Sequence, residues 1–136
     1  MTICPLLDSR VNLLVRLLVD DDPRQADVAV KLLAGNRVLI CRTVLLETEW
    51  VLRARYKAPR EQIVEFFEKL LQTENAEVEG AGAVARALDW YRLGADFADS
   101  MHLASCGDAV THTFDQGFCK AARDGGLTPE IRVLQS

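Results

Sequence analysis

The sequence predicts one α/β domain over residues 1–136, built in three layers around a mostly parallel central sheet. Two patterns carry that prediction. Short, continuously apolar runs, of which 37–41 (RVLIC) is the clearest, have the character of strands covered on both faces. Between them lie helical patterns too long for hairpin turns, so successive strands are joined by crossovers and run parallel. A third observation sets the scale: 136 residues, 49% hydrophobic and 26% charged, suffice for one buried core without disulfide staples.

Residues 3–8 read as a first short strand ending in Asp8, with Pro5 shortening the paired part to about Leu6, Leu7 and Asp8 because proline cannot donate to a ladder. The run NLLVRLLV at 12–19 is apolar almost all round, as in a helix packed on two sides. Asp20, Asp21 and Asp22 precede Pro23, a turn in which Asp22 caps the next helix and Pro23 opens it. That helix, 23–34, is expected to pack through Ala26, Val30 and Leu33, and Gly35 and Asn36 end it. After the strand at 37–41, Thr43 is placed to cap a helix over 43–56 that carries Glu47 and Glu49. Periodicity does not choose between these acids. Glu47 lies nearer the amino end of the helix, hence nearer the carboxyl edge of the preceding strand, while Glu49 has Arg53 four residues on for a surface pair. Trp50, Val51 and Leu52 read as core and interface packing rather than as a base-stacking platform. Another amphipathic helix covers 60–73, with Ile63, Phe66, Phe67 and Leu70 on its apolar side; 76–79 is a short edge strand or a connection, and a helix within 80–94 stops at Gly94.

The stretch 95–120 gathers the acids that point to chemistry. Asp96 and Asp99 open a helix, and the strand pattern at 109–114 stops at Asp115, followed by a short helix at 116–123 and a last strand at 130–134. If that strand lies beside the helix in a parallel sheet, Asp99 and Asp115 both reach the carboxyl edge, where open α/β sheets bind ligands. Converging carboxylates repel one another, and a divalent cation removes the conflict. Hard oxygen donors, two histidines and no thiol cluster select Mg²⁺ or Mn²⁺ over zinc. Each acid has a plain role as well: Asp96 and Asp99 have the separation of a capping pair, and Asp115 can cap a following helix.

A net charge of −4 argues against a general nucleic-acid coat protein but fits a nuclease that collects acids at a metal and keeps its cations at the rim. Arg42, Arg53, Arg55, Lys57, Arg60, Lys120 and Arg123 are the candidates for that rim. Cys4, Cys41, Cys106 and Cys119 contain no C-x-x-C pair and read as buried thiols. His102 and His112, within apolar segments, read as hydrogen-bonded core or interface groups rather than general bases. No uncharged apolar run is long enough to span a bilayer, and the amino terminus lacks a basic region ahead of a long apolar core, so the expected location is cytoplasmic.

Four segments in order, NLLVRLLVDDDP (12–23), TVLLETEWVLRARY (43–56), ADFADSMHLA (95–104) and THTFDQGF (111–118), make nearly the whole chain resemble the PIN-domain family, and within it the VapC-type ribonuclease toxins of bacterial toxin-antitoxin pairs. The resemblance implies a compact α/β/α nuclease whose acids bind Mg²⁺ or Mn²⁺, which cuts single-stranded RNA and is held silent by an antitoxin protein. It places the second, third and fourth family acids on Glu47, Asp99 and Asp115, with Thr113 as the hydroxyl of a T-x-D pattern. The first acid has two readings. Without a gap, Arg10 takes the acid position and Asn12 the asparagine; a guanidinium there would oppose the metal and leave a catalytically impaired binding module. With a gap, Asp8 and Ser9 supply the motif, Leu6 and Leu7 stay as the buried strand, and Arg10 turns outward toward phosphate or solvent. Asp8 is preferred, because the ungapped reading buries Asp8 and Ser9 in a central strand without partners. The expected catalytic set is therefore Asp8, Glu47, Asp99 and Asp115, with Asp8, Asp99 and Asp115 on the metal and Arg10, Asn12 and Thr113 on the substrate. Apolar surface on 12–19 and 50–56 leads us to expect a homodimer and an antitoxin groove.

Overall fold

The computed structural model describes residues 2–3, 13–19, 22–106, 111–114 and 131–134. The chain divides into two compact units, Met1–Ala81 and Gly82–Ser136. The expected α/β class with parallel strands is what the chain adopts: every described strand pair is parallel.

In the first unit the order is β1 (Thr2–Ile3), α1 (Leu13–Leu18), α2 (Pro23–Ala34), β2 (Arg37–Ile40), α3 (Arg42–Ala54), α4 (Arg60–Gln72) and β3 (Ala76–Val78). The strands pair in the order β1-β2-β3, so the continuously apolar β2 takes the middle and buries Val38 and Ile40. β1 pairs with β2 ahead of Pro5, with Thr2 opposite Arg37 and Ile3 opposite Val38; Leu6 to Asp8, expected to pair, fall outside the described residues. The segment 76–79 resolves to the edge strand, with Leu39 opposite Glu77. Just before β3, the Asn75 side-chain amide donates to the Leu33 and Asn36 carbonyls, while its backbone carbonyl accepts from Val38. One residue thereby fastens the turn between α2 and β2 to the sheet.

Local chemistry sets the helix ends. Asp22 is extended and accepts from the Gln25 backbone N–H at 3.2 Å, with Pro23 in the first turn, as the D-P pair predicts. The packed face of α2 is shifted from expectation: Ala29 is buried, Ala26 and Leu33 are half-buried, and Val30 is exposed together with Val28 and Leu32. Val30 sits four residues after Ala26, at the edge of a stripe that runs instead through 26, 29 and 33. Helix α4 packs as predicted through Ile63, Phe66, Phe67 and Leu70, joined by Val64.

The second unit holds α5 (Ala81–Arg92) from its second residue on, α6 (Phe97–Ser105), β4 (Thr111–Thr113) and β5 (Ile131–Val133). Gly94, at φ +110, lets the chain leave α5 in a backbone conformation that a side chain would strain. Tyr91 and Phe97, both about 1% exposed, meet edge to face with ring centroids 5.3 Å apart and anchor α5 to α6. Arg86 donates to the Ala104 carbonyl at 3.0 Å, satisfying an acceptor near the end of α6. Strand β4 pairs with β5, Thr113 opposite Val133.

Candidate active site

Helix α3 carries the first of the expected acids. It begins one residue earlier than predicted: Cys41, extended, is the N-cap residue, and its carbonyl accepts from Val44 and Leu45 at 3.1 and 3.2 Å. Thr43 is thus inside the helix and exposed rather than capping it. Because β2 ends at Ile40, the amino end of α3 stands at the carboxyl end of that strand, and Glu47 occupies the second turn, half-buried. Arg42, the first helical residue, pairs with Glu79 at 3.0 Å and lies across Gly80, its Cδ within 3.6 Å of where a Cβ would be. A rim cation is therefore already held at this edge.

The two acids of α3 separate cleanly. Glu49 is 4% exposed and its carboxylate accepts from the Arg53 guanidinium at 2.8 Å. The predicted Glu49–Arg53 pair exists, but it is no surface pair: one partner is buried, the other half exposed. The buried positions Val44, Leu45, Thr48, Glu49, Val51 and Leu52 define a face from which Glu47 is excluded. Thr48 meets burial by donating its hydroxyl to the Val44 carbonyl at 2.7 Å. Trp50 departs from the core expectation. Val51 and Leu52 are 2% and 0% exposed, whereas Trp50 is 46% exposed.

In the second unit, Asp96 and Asp99 take different tasks. Asp96 is the N-cap residue of α6: its carboxylate accepts from the Asp99 backbone N–H at 2.9 Å and its carbonyl from the Ser100 hydroxyl at 2.7 Å. Asp99 stands in the first turn with its side chain on the exposed side, where the helix dipole favours a negative charge. Thr113 closes β4 at its carboxyl end, half-buried, its carbonyl accepting from Leu134 at 2.6 Å. Asp8, Arg10, Asn12 and Asp115 lie outside the described residues, as do Lys120 and Arg123. Among the described residues no group of three or more His, Cys, Asp or Glu side chains could hold a metal ion.

His102 and His112 are exposed, not core groups. His102 stands on α6 with its ring nitrogen 3.8 Å from the sulfur of Cys106. Cys41 and Cys106 are half-buried thiols outside any disulfide, while Cys4 and Cys119 lie outside the described residues. Among the described residues, then, the two neighbouring acids on each helix differ in place: Glu47 is half-buried beside the buried, Arg53-paired Glu49, and Asp99 is exposed beside the cap Asp96. No helix among the described residues is long and apolar enough to cross a membrane.

No curated protein and no solved structure gives a match to the chain. The PIN domain family matches residues 7–124, a span that contains every expected site acid, from Asp8 through Glu47 and Asp99 to Asp115. That fold is generally a nuclease fold and its members usually bind a divalent metal. A match over so much of the length, in a chain with parallel strands and acids at its helix starts, means that this protein belongs to the PIN domain family.

Proposed function

We propose that the chain is a Mg²⁺- or Mn²⁺-dependent endoribonuclease that hydrolyses phosphodiester bonds of single-stranded RNA, acting as one domain and as the VapC-type toxin of a toxin-antitoxin pair. The observation that carries this reading is the family match over residues 7–124, a span that holds Asp8, Glu47, Asp99 and Asp115, with Asp99 exposed in the first turn of α6. Family membership supports the class of reaction. The donor set is all carboxylate oxygen, which suits a hard cation rather than zinc.

Asp8, Asp99 and Asp115 would hold the ion. When bound, it supplies polarisation of the scissile phosphate and a lowered pKa for an attacking water. Glu47, outside that ligand set, would take the proton from the water. Thr113 and Asn12 are the hydrogen-bonding groups for phosphate, and Arg10 adds a positive charge for it. Water would add to phosphorus as the P–O bond to the leaving ribose oxygen breaks, and that oxygen would take its proton from solvent.

A cytoplasmic homodimer silenced by an antitoxin protein completes the reading. Val28, Val30 and Leu32, exposed along α2, support a protein partner. By contrast α1 buries Leu14 and Val15 and half-buries its other leucines, so it offers less apolar surface than its sequence suggested.

The test is cleavage of a labelled single-stranded RNA with Mg²⁺ or Mn²⁺, with and without EDTA. Cutting should need the ion and should vanish in Asp99→Asn and in Glu47→Gln while the circular dichroism spectrum is kept. Cutting that survives Asp99→Asn removes the proposed site. Asp8→Asn should also abolish cutting; a silent Asp8→Asn together with a gain of cutting in Arg10→Asp would move the first acid position to Arg10 and make the natural chain an impaired binding module.

A further inference from the structure

Helix α3 presents an exposed aromatic ring three residues after Glu47, and the charges around it indicate what the ring receives. Trp50 is 46% exposed although its neighbours Val51 and Leu52 are buried. It lies three residues after Glu47 and three before Arg53, so carboxylate, indole and guanidinium follow one another along the exposed side of the helix, each step about 5–6 Å between Cβ atoms. Arg53 is held by Glu49 at 2.8 Å, which fixes the guanidinium one turn beyond the indole. The chain is acidic as a whole, yet Arg53, Arg55, Lys57 and Arg60 follow Trp50 with no acid among them up to Arg60. Arg53, Arg55 and Lys57 are exposed.

An exposed indole flanked by a run of cations is the pairing that single-stranded nucleic acid selects: bases stack on the ring face and phosphates follow the positive charge. An apolar protein partner would match the ring but not the cations. We propose that Trp50 is a stacking platform for a nucleobase of the RNA substrate next to the scissile phosphate, with the segment from Arg53 to Arg60 tracking the backbone that leads away from it. This rests on the nuclease reading and deepens it. Because every base has a stacking face, the platform tolerates any base and requires only that the strand be single.

The test uses the full chain in EDTA, where cleavage is silent, and a mixed-sequence single-stranded RNA oligonucleotide as probe. Trp90 is 7% exposed, so a quench of tryptophan fluorescence on adding RNA reports Trp50. The wild type should show that quench, and Trp50→Ala should lack it. Fluorescence anisotropy should give binding weakened about five- to hundredfold in Trp50→Leu, the range of one base–aromatic stack. Trp50→Phe, which keeps an aromatic face, should stay within about threefold of the wild type. An abasic nucleotide at the stacked position should weaken wild-type binding by a similar factor and leave Trp50→Leu unaffected. Equal affinity of Trp50→Leu and wild type, or no quench, overturns the platform. So does a dimer that becomes monomeric in Trp50→Ala with RNA affinity per chain unchanged, since the ring would then be a subunit contact. A wild type that binds with the quench but never cuts with Mg²⁺ or Mn²⁺ overturns the nuclease reading and leaves the platform standing. A wild type that cuts while Trp50→Leu binds equally well overturns the platform alone.

Discussion

Replacing Arg53 by alanine should unfold the protein far more readily than replacing Lys69, although both cations end an i,i+4 pair with a preceding glutamate. Lys69 and Glu65 are 72% and 68% exposed, and such a pair contributes about 0–1 kcal/mol, so its loss should be close to silent. Glu49, by contrast, keeps only 6% of its side chain exposed and has the Arg53 guanidinium 2.8 Å away. Removing one member of a fully buried pair costs about 3–5 kcal/mol, because a charge is left inside without compensation. Arg53 is itself 48% exposed, so water already shares in solvating the pair. About half of the buried value, roughly 2 kcal/mol, is therefore expected for Arg53→Ala, a fall in Tm of about 6–8 °C for a chain of this size. Glu49→Gln should cost less, under about 1 kcal/mol, since the guanidinium it leaves can turn to solvent. Urea titration of the four chains, wild type, Arg53→Ala, Glu49→Gln and Lys69→Ala, measures these differences. If Arg53→Ala and Lys69→Ala shift the midpoint equally, the burial argument fails. The same series bears on function: Glu49→Gln should retain RNA cleavage at lowered stability, whereas Glu47→Gln should keep stability and lose cleavage.

Asp96→Ala removes the acceptor of the Asp99 backbone N–H and should lower stability by about 1 kcal/mol in thermal unfolding; no loss would mean that the cap bond is not formed in solution. Two glycines should respond in opposite directions to alanine. Gly94, at φ +110 with nothing within 4 Å of an added Cβ, should lose about 1–2 kcal/mol purely from backbone strain, while Gly82, helical and equally uncrowded, should gain about 0.5–1 kcal/mol. A stabilising Gly94→Ala would refute the strain assignment.

What could be read from the sequence was what short-range chemistry decides. Asp22 before Pro23 and Asp96 three residues ahead of Asp99 are caps that need only their own turn, and both form as expected. Strand β2 was legible because RVLIC cannot be solvated on either face, and parallel pairing followed from the long connections. Where several registers of one helix were open, the reading missed. On α3 the buried set 44, 45, 48, 49, 51 and 52 leaves Trp50 outside, and this phase follows from Val44, Leu45 and Leu52 once the polar Thr48 and Glu49 are admitted to the core. Aromatic character favoured the core for Trp50, and charge favoured the surface for Glu49. Position on the helix overrode both. Thr43 was preferred as a cap on composition alone, but Cys41 holds that place because β2 ends at Ile40 and the backbone turns one residue earlier. For the site itself, the sequence separated cap from candidate acid at Asp96 and Asp99, which the hydrogen bonds bear out for Asp96. Between Asp8 and Arg10 it favoured Asp8 only through the cost of burying Asp8 and Ser9, because two extra loop residues change nothing else in the local pattern, and both positions lie outside the described residues.

The Asn75 clamp has a consequence for how the chain comes into being. Its two side-chain bonds join positions 42 and 39 residues apart, and Val38 receives its sheet partner from the same stretch. Such non-local contacts form late, after the loop that separates them has been closed. During synthesis, β2 emerges and waits with that edge open until α3, α4 and residue 75 have left the ribosome. Over that interval Val38 and Ile40 lie on an unpaired, apolar edge of the kind that joins other chains. Aggregation during expression should therefore depend on how quickly the segment from Arg42 to Asn75 becomes helical, and exposed positions of α3 and α4 that never touch substrate can govern the yield of folded protein.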